Sequence, residues 1–257
     1  MSTLINKLFA ATTALTAAVG LTSAQAAPAG ATKNIVLVHG AFVDGSGWKP
    51  VADILRKRGY NVVIAQPPET SLEDDVAATN RVLDALDGPA VLVGHSYGGV
   101  IITEAGNNPH VKNLVYVAAL QPDAGESAGQ LLGSKPAATN YIVPSKDGFL
   151  TIQPEHFRDA FALDLPEAEV AFMAASQVAT SGKAISTPVT TPAWKTKPSY
   201  AIVATQDRAI NPDLERQMYA RSNAVTKEIA ASHAVYISQP QAVAKVIEQA
   251  AAASANH

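Results

Sequence analysis

Apolar residues along this chain fall into short continuous runs separated by longer amphipathic stretches. The runs NIVLVHG from Asn34, NVVIAQPP from Asn61, AVLVGHS from Ala90, NLVYVAAL from Asn113, SYAIVATQD from Ser199 and TKEIAA from Thr226 predict strands. Most of them lack polar alternation, which is the mark of strands buried on both faces in a parallel sheet. Between them lie helical patterns. WKPVADILRKRG spaces Val51, Ile54 and Leu55 along one face and stops at Gly59. SLEDDVAATNRVLDALDG offers Ser71 as an N-cap, with Asp74 three residues on, and closes at Gly88. Helices are also predicted from Val100, over NPDLERQMYARS, and over PQAVAKVIEQAAAAS from Pro240. Strand and helix alternation of this kind builds a mostly parallel α/β sheet of about six strands, covered by helices on both faces and joined by right-handed crossovers.

Two segments break the alternation. From about residue 121 to 198 strands are scarce. PEHFRDAFALDLPEAEVAFMAASQVA predicts two short helices split at Pro166, and STPVTTPAWKTKP a proline-rich return. This stretch is expected to be a small helical cap over the carboxyl ends of the strands. At the other anomaly, the start, Lys7 precedes an apolar stretch from Leu8 to Leu21, followed by small residues and Ala24-Gln25-Ala26. That order predicts a signal peptide over residues 1–26, a mature domain over 27–257, and a periplasmic or secreted protein. The apolar part is too short for a bilayer span of about 20 residues, so no membrane span is expected after leader removal.

At 257 residues and 47% hydrophobic, the chain has material for one sizeable domain. A net charge of -3 and the lack of a long basic run exclude the electrostatic footprint of a nucleic-acid binder. The absence of cysteine excludes disulfides, thiolate metal sites and a cysteine nucleophile.

The candidate chemistry gathers where strands end. Gly94-His95-Ser96-Tyr97-Gly98 fits a strand-to-helix turn that lifts a serine hydroxyl above the sheet. A serine hydroxyl needs a base, and the base needs an orienting group. Of six histidines, His39 sits in a loop it is expected to fix. The side chain of His95 is expected to point away from the bend. His110 and His156 have surface-like neighbours, and His257 is terminal. His233, in a loop after the last strand, is left as the base. Asp207 follows the preceding strand and is the expected acid, with Asp123 as competitor; Asp213 fits a helix first turn. The chain order Ser96, Asp207, His233 suits such a triad. Oxyanion donors are expected at the Tyr97 N–H and, from the loop HGAFVDGSGW, at the Ala41 N–H, with the Phe42 N–H as second choice.

The motifs VLVHGAFVDGSGW, GHSYGG, AALQPDAGES, TQDRAI and SHAVYISQP resemble the α/β-hydrolase branch that contains plant methylesterases and hydroxynitrile lyases. The resemblance spans nearly the whole mature chain. It implies an α/β-hydrolase fold with a small helical cap, a triad at Ser96, Asp207 and His233, oxyanion donors at Ala41 and Tyr97, and no metal or organic cofactor. The lyases carry a threonine after the first-strand histidine and a lysine after the catalytic one, where this chain has Gly40 and Ala234. Hydrolysis of small to medium carboxylic esters through an acyl-enzyme is therefore expected. Lyase-like, lactonase or amidase activity, or a non-catalytic ligand-binding protein of the same fold, are the alternatives. The expected partner is a small-molecule ester, and the expected state a monomer or homodimer. Phe42, Phe157, Phe161, Phe172, Met173 and Trp194 are candidates to line an apolar pocket beneath the cap.

Overall fold

A computed structural model describes residues 30–253. The leader read at residues 1–26 lies outside the described residues, as does His257. Six strands form one parallel sheet: β1 (Asn34–Val38), β2 (Asn61–Ala65), β3 (Ala90–Ser96), β4 (Val111–Ala119), β8 (Ser199–Ala204) and β9 (Val225–Ile229), in the order β2-β1-β3-β4-β8-β9. Between β4 and β8, three shorter strands, β5 (Ile142–Pro144), β6 (Phe149–Ile152) and β7 (Thr180–Ser181), make a separate antiparallel sheet.

The continuous apolar runs serve both faces of the sheet, as their composition requires. Alternate residues of β1 divide cleanly: Val36 and Val38 join one core cluster, Ile35 and Leu37 the other. β3 repeats the division, with Leu92 on the first side and Val91 and Val93 on the second. Helices α1 (Lys49–Lys57) and α10 (Pro240–Ala253) cover the second face; α2 (Leu72–Asp84) and α3 (Gly98–Ala105) cover the first. The Ser71 hydroxyl caps α2 by accepting from the Asp74 N–H at 3.1 Å, which satisfies one of the donors left over at a helix start. The chain then closes with α8 (Pro212–Arg221) and the short α9 (Val235–Ser238).

The segment between β4 and β8 carries α4 (Ala128–Ser134), α5 (Phe157–Phe161), α6 (Glu167–Ala175) and α7 (Gly182–Ser186), together with the small sheet. Pro166 does separate α5 from α6. The three strands have no counterpart in the sequence pattern. They are two to four residues long, too short for a period-two alternation to register, and Ile142 remains 43% exposed. Among the described residues no helix is long and apolar enough to cross a membrane.

Leu37, on β1 between β2 and β3, has no exposed surface. Replacing it by Ala is expected to lower unfolding stability by about 2–5 kcal/mol, the range for a large side chain deleted from a packed core. Urea titration checks this, with a lower midpoint and an unchanged m-value.

Candidate active site

β3 ends at Ser96 with a φ of 53°, the left-handed region that a non-glycine residue rarely adopts. The glycines around it make this turn possible. A Cβ on Gly94 would lie 2.5 Å from the Gly98 carbonyl oxygen, and one on Gly98 would lie 2.6 Å from that of His39. β3, the start of α3 and the end of β1 therefore pass at backbone contact distance. The sheet register shifts between His95 and Ser96 against β4, and the Leu120 N–H donates to the Ser96 carbonyl at 3.1 Å. The bend is thus pinned from both neighbouring strands.

His233 and Asp207 come together although 26 residues separate them. His233 Nδ1 lies 2.5 Å from Asp207 Oδ2, with both side chains almost fully buried. A carboxylate accepts only, so Nδ1 carries the proton. The other carboxylate oxygen, Oδ1, accepts from the Ala209 and Ile210 amides at 2.7 and 2.9 Å. Behind it, burial and the charge of Asp207 push the Glu215 carboxyl well above the usual carboxylate range. Ser96 and His233 border the same cavity. No direct hydrogen bond joins the hydroxyl to the imidazole among the described residues, a spacing common in free hydrolytic sites.

His95 does more than the sequence pattern suggests. Its Nε2–H donates to the His233 backbone carbonyl at 2.9 Å, and its ring lies 4.6 Å from the His233 ring. Burial and the adjacent His233 hold its pKa far below the ordinary imidazole range. It is therefore a neutral strut under the loop that carries His233. Alternation along β3 gives no sign of this, because its partner is a backbone carbonyl 138 residues away.

Ala41 and Tyr97, the residues expected to supply the oxyanion donors, both border one cavity. The Phe42 N–H, the second choice, is already committed to Thr180 Oγ1 at 3.2 Å. Phe42 itself has a φ of 69°, a conformation costing on the order of 1 kcal/mol for such a residue.

The other candidates lie elsewhere. Asp123 pairs with Lys195 at the surface. Asp213 sits in the first turn of α8, bonded to Arg216 at 2.7 Å. His110 Nδ1 reaches the Gly88 carbonyl at 3.0 Å, and His156 stacks on Tyr141. His39 does meet its neighbouring loop: Nδ1 lies 3.0 Å from the Gly40 carbonyl oxygen.

The cavity has a volume of about 680 Å3 with its mouth included. Of the aromatic and methionine side chains expected to line it, Phe42 and Phe161 do so. Phe161 stands edge-on to His233 at 4.8 Å. The remaining four lie outside its lining. Phe157 is fully buried behind Phe161, stacked at 5.2 Å. Phe172 is 66% exposed and borders, with Met173, a separate cleft beside Asp44 and Glu169. Trp194 turns outward to donate to the Pro122 carbonyl at 2.8 Å. Aliphatic side chains from loops and short strands fill their places, among them Leu120, Leu150, Ile152 and Ile210. Leu120 follows β4 directly and Ile210 lies in the loop after β8, so position beyond a strand end was the available signal. Among the described residues no group of three or more His, Cys, Asp or Glu is placed to hold a metal ion.

Known proteins share this arrangement of chain. The chain is 35% identical over 113 residues to a carbendazim hydrolyzing esterase from Nocardioides sp. (strain SG-4G), a match covering 38% of this chain and about half, 47%, of that protein. It is 28% identical over 262 residues to a pyrethroid hydrolase from Sphingobium wenxiniae, covering 87% of this chain and 89% of that one. The crystal structure of a pyrethroid hydrolase from Sphingobium faniae superposes with a TM-score of 0.74 at 25% identity, over 88% of this chain and 99% of the other. The sequence model of the alpha/beta hydrolase family matches residues 35–246. With that match across most of its length, on a six-stranded parallel sheet flanked by helices, the chain belongs to the alpha/beta hydrolase family.

Proposed function

We propose that this protein is a serine hydrolase of carboxylic esters that works through an acyl-enzyme. The observation that carries the reading is the buried 2.5 Å contact between His233 and Asp207 beside the cavity that Ser96 borders. Relationship to the carbendazim and pyrethroid hydrolases supports the esterase class.

In this reading Asp207 fixes the tautomer that leaves His233 Nε2 free to accept a proton. Ser96 Oγ attacks the ester carbonyl as its proton passes to Nε2, and the carbonyl oxygen becomes an oxyanion. The Ala41 and Tyr97 N–H groups receive that charge; among the described residues neither amide has another acceptor. The imidazolium then protonates the leaving alcohol, and water repeats the sequence on the acyl-serine. The apolar lining suits an uncharged acyl or alcohol group, held under the cap read at residues 121–198. Gly40 and Ala234 argue against a cyanohydrin-cleaving role. A Cβ at Gly40 would fall 2.6 Å from Ser96 Cβ, so a threonine there would crowd the serine, and Ala234 supplies no cation. The leader read in residues 1–26 supports action in the periplasm or outside the cell.

Wild-type protein is expected to hydrolyse p-nitrophenyl acetate and butyrate, and Ser96→Ala to lose at least about 100-fold in kcat. Turnover by Ser96→Ala equal to wild type would remove the serine from the mechanism. Asp207→Asn keeps the shape of the acid but no longer selects the tautomer, and kcat is expected to fall about a thousandfold or more with KM little changed. His95→Phe removes the bond beneath the His233 loop; steady-state kinetics should show kcat about tenfold lower while ester binding persists.

A further inference from the structure

The Gly40–Ala41 peptide unit is where a second oxyanion donor stands or fails. Its two ends point in opposite directions, because the peptide is trans. On one side the Gly40 carbonyl accepts from His39 Nδ1–H at 3.0 Å. That bond aims the Ala41 N–H to the other side, where Ala41 borders the cavity. The next unit is held too: the Phe42 N–H donates to Thr180 Oγ1 at 3.2 Å. Thr180 in turn donates to Glu69 Oε2, while Glu69 Oε1 lies 3.3 Å from His39 Nδ1. One fully buried carboxylate therefore orders both groups that fix the loop.

The same carboxylate residue reaches the other donor. The Glu69 N–H donates to Asp75 Oδ1 at 2.6 Å, and Asp75 Oδ2 accepts from the Tyr97 hydroxyl at 2.9 Å. Glu69, Asp75 and Thr180 have no exposed surface. Burial drives the Asp75 carboxyl up to about 6 and also raises Glu69, which His39 and Thr180 partly counter. Glu69 itself has a φ of 57°, and its carbonyl accepts from the Ser181 N–H at 2.8 Å. Leaving such groups buried demands a compensating role or full satisfaction, since an unpaired buried polar group is costly.

We propose that Glu69 and Thr180 are positioning residues for oxyanion stabilisation: they hold the Gly40–Ala41–Phe42 backbone so that the Ala41 N–H faces the cavity, and Thr180 makes that setting depend on β7, within the segment inserted between β4 and β8. The inference rests on the ester-hydrolysis reading and goes beyond it. Neither side chain touches substrate. Thr180→Val keeps the volume but removes the acceptor for the Phe42 amide, freeing a strained peptide to rotate.

The test compares wild type, Thr180→Val, Thr180→Ser and Glu69→Gln with p-nitrophenyl butyrate and with two inhibitors of one skeleton. An aryl trifluoromethyl ketone accepts Ser96 Oγ at its carbonyl carbon, passes the serine proton to His233 and leaves its oxygen as the oxyanion. The matching secondary alcohol binds without adding. Thr180→Val and Glu69→Gln should lower kcat about 10- to 100-fold with KM within about threefold, and weaken the ketone by the same factor while leaving the alcohol unchanged. Thr180→Ser keeps the hydroxyl and should stay within about threefold of wild type. If Thr180→Val does not fold, Glu69→Gln carries the same comparison. Wild-type kcat and ketone affinity in the variants would overturn the positioning role alone. So would equal weakening of ketone and alcohol, which marks a general disturbance of the cavity. A wild-type protein inert toward both ester and ketone would overturn the ester-hydrolysis reading and this inference together.

Discussion

Backbone crowding at the end of β3 governs the rest of the molecule. Ser96 is held at a φ of 53° where three pieces of backbone meet with no room for a Cβ on Gly94 or Gly98. Such a turn is unfavourable by itself and persists only when packing on every side specifies it. Here β1, β3 and β4, buried along nearly all of their length, supply that packing. The two core clusters on opposite faces of the sheet clamp the strands, and α3 begins immediately beyond the bend. The position of the serine is therefore a consequence of the sheet and not of its own loop.

Around that fixed point the charges are arranged with economy. Asp207 is supported by two backbone amides and an imidazole N–H. Burial and Asp207 itself push the carboxyl of its neighbour Glu215 well above the usual carboxylate range. His95, whose ring lies 4.6 Å from that of His233 and tilted to it, is held neutral by burial and by the adjacent ring. A second positive charge next to His233 would disfavour proton uptake by it, and a second negative charge would compete with Asp207. Both are avoided by burying groups that titrate away from their charged forms.

The inserted segment is joined to the site by hydrogen bonds as well as by apolar contact. The Phe161 carbonyl accepts from the Ala234 N–H at 3.0 Å, and Asp164 Oδ2 accepts from the Ser232 N–H at 3.1 Å. These bonds brace the loop of His233 from α5 and the turn after it. On the opposite side, Thr180 and Ser181 brace the loop of Ala41 and Phe42 through Glu69. The segment thus touches both walls of the cavity. Its contribution is mechanical as well as one of shape.

What the sequence by itself determined is what local rules govern. Apolar runs fix six strands, the inner ones buried on both faces, and helical spacing with caps fixes the helices between them. The glycine spacing around Ser96 has one good backbone solution, and the chain order of Ser96, Asp207 and His233 follows the strand ends. The tertiary structure decided everything that depends on long-range partners. The strands β5 to β7 are too short to leave a period. Phe157, Phe172, Met173 and Trp194 were read by chemical type, yet lining a cavity depends on direction, and each of the four faces elsewhere. His95 and Glu69 acquire their importance from a carbonyl 138 residues away and a hydroxyl 111 residues away. Hydrogen bonds across such distances carry no periodicity in sequence, because only the tertiary packing brings their ends together.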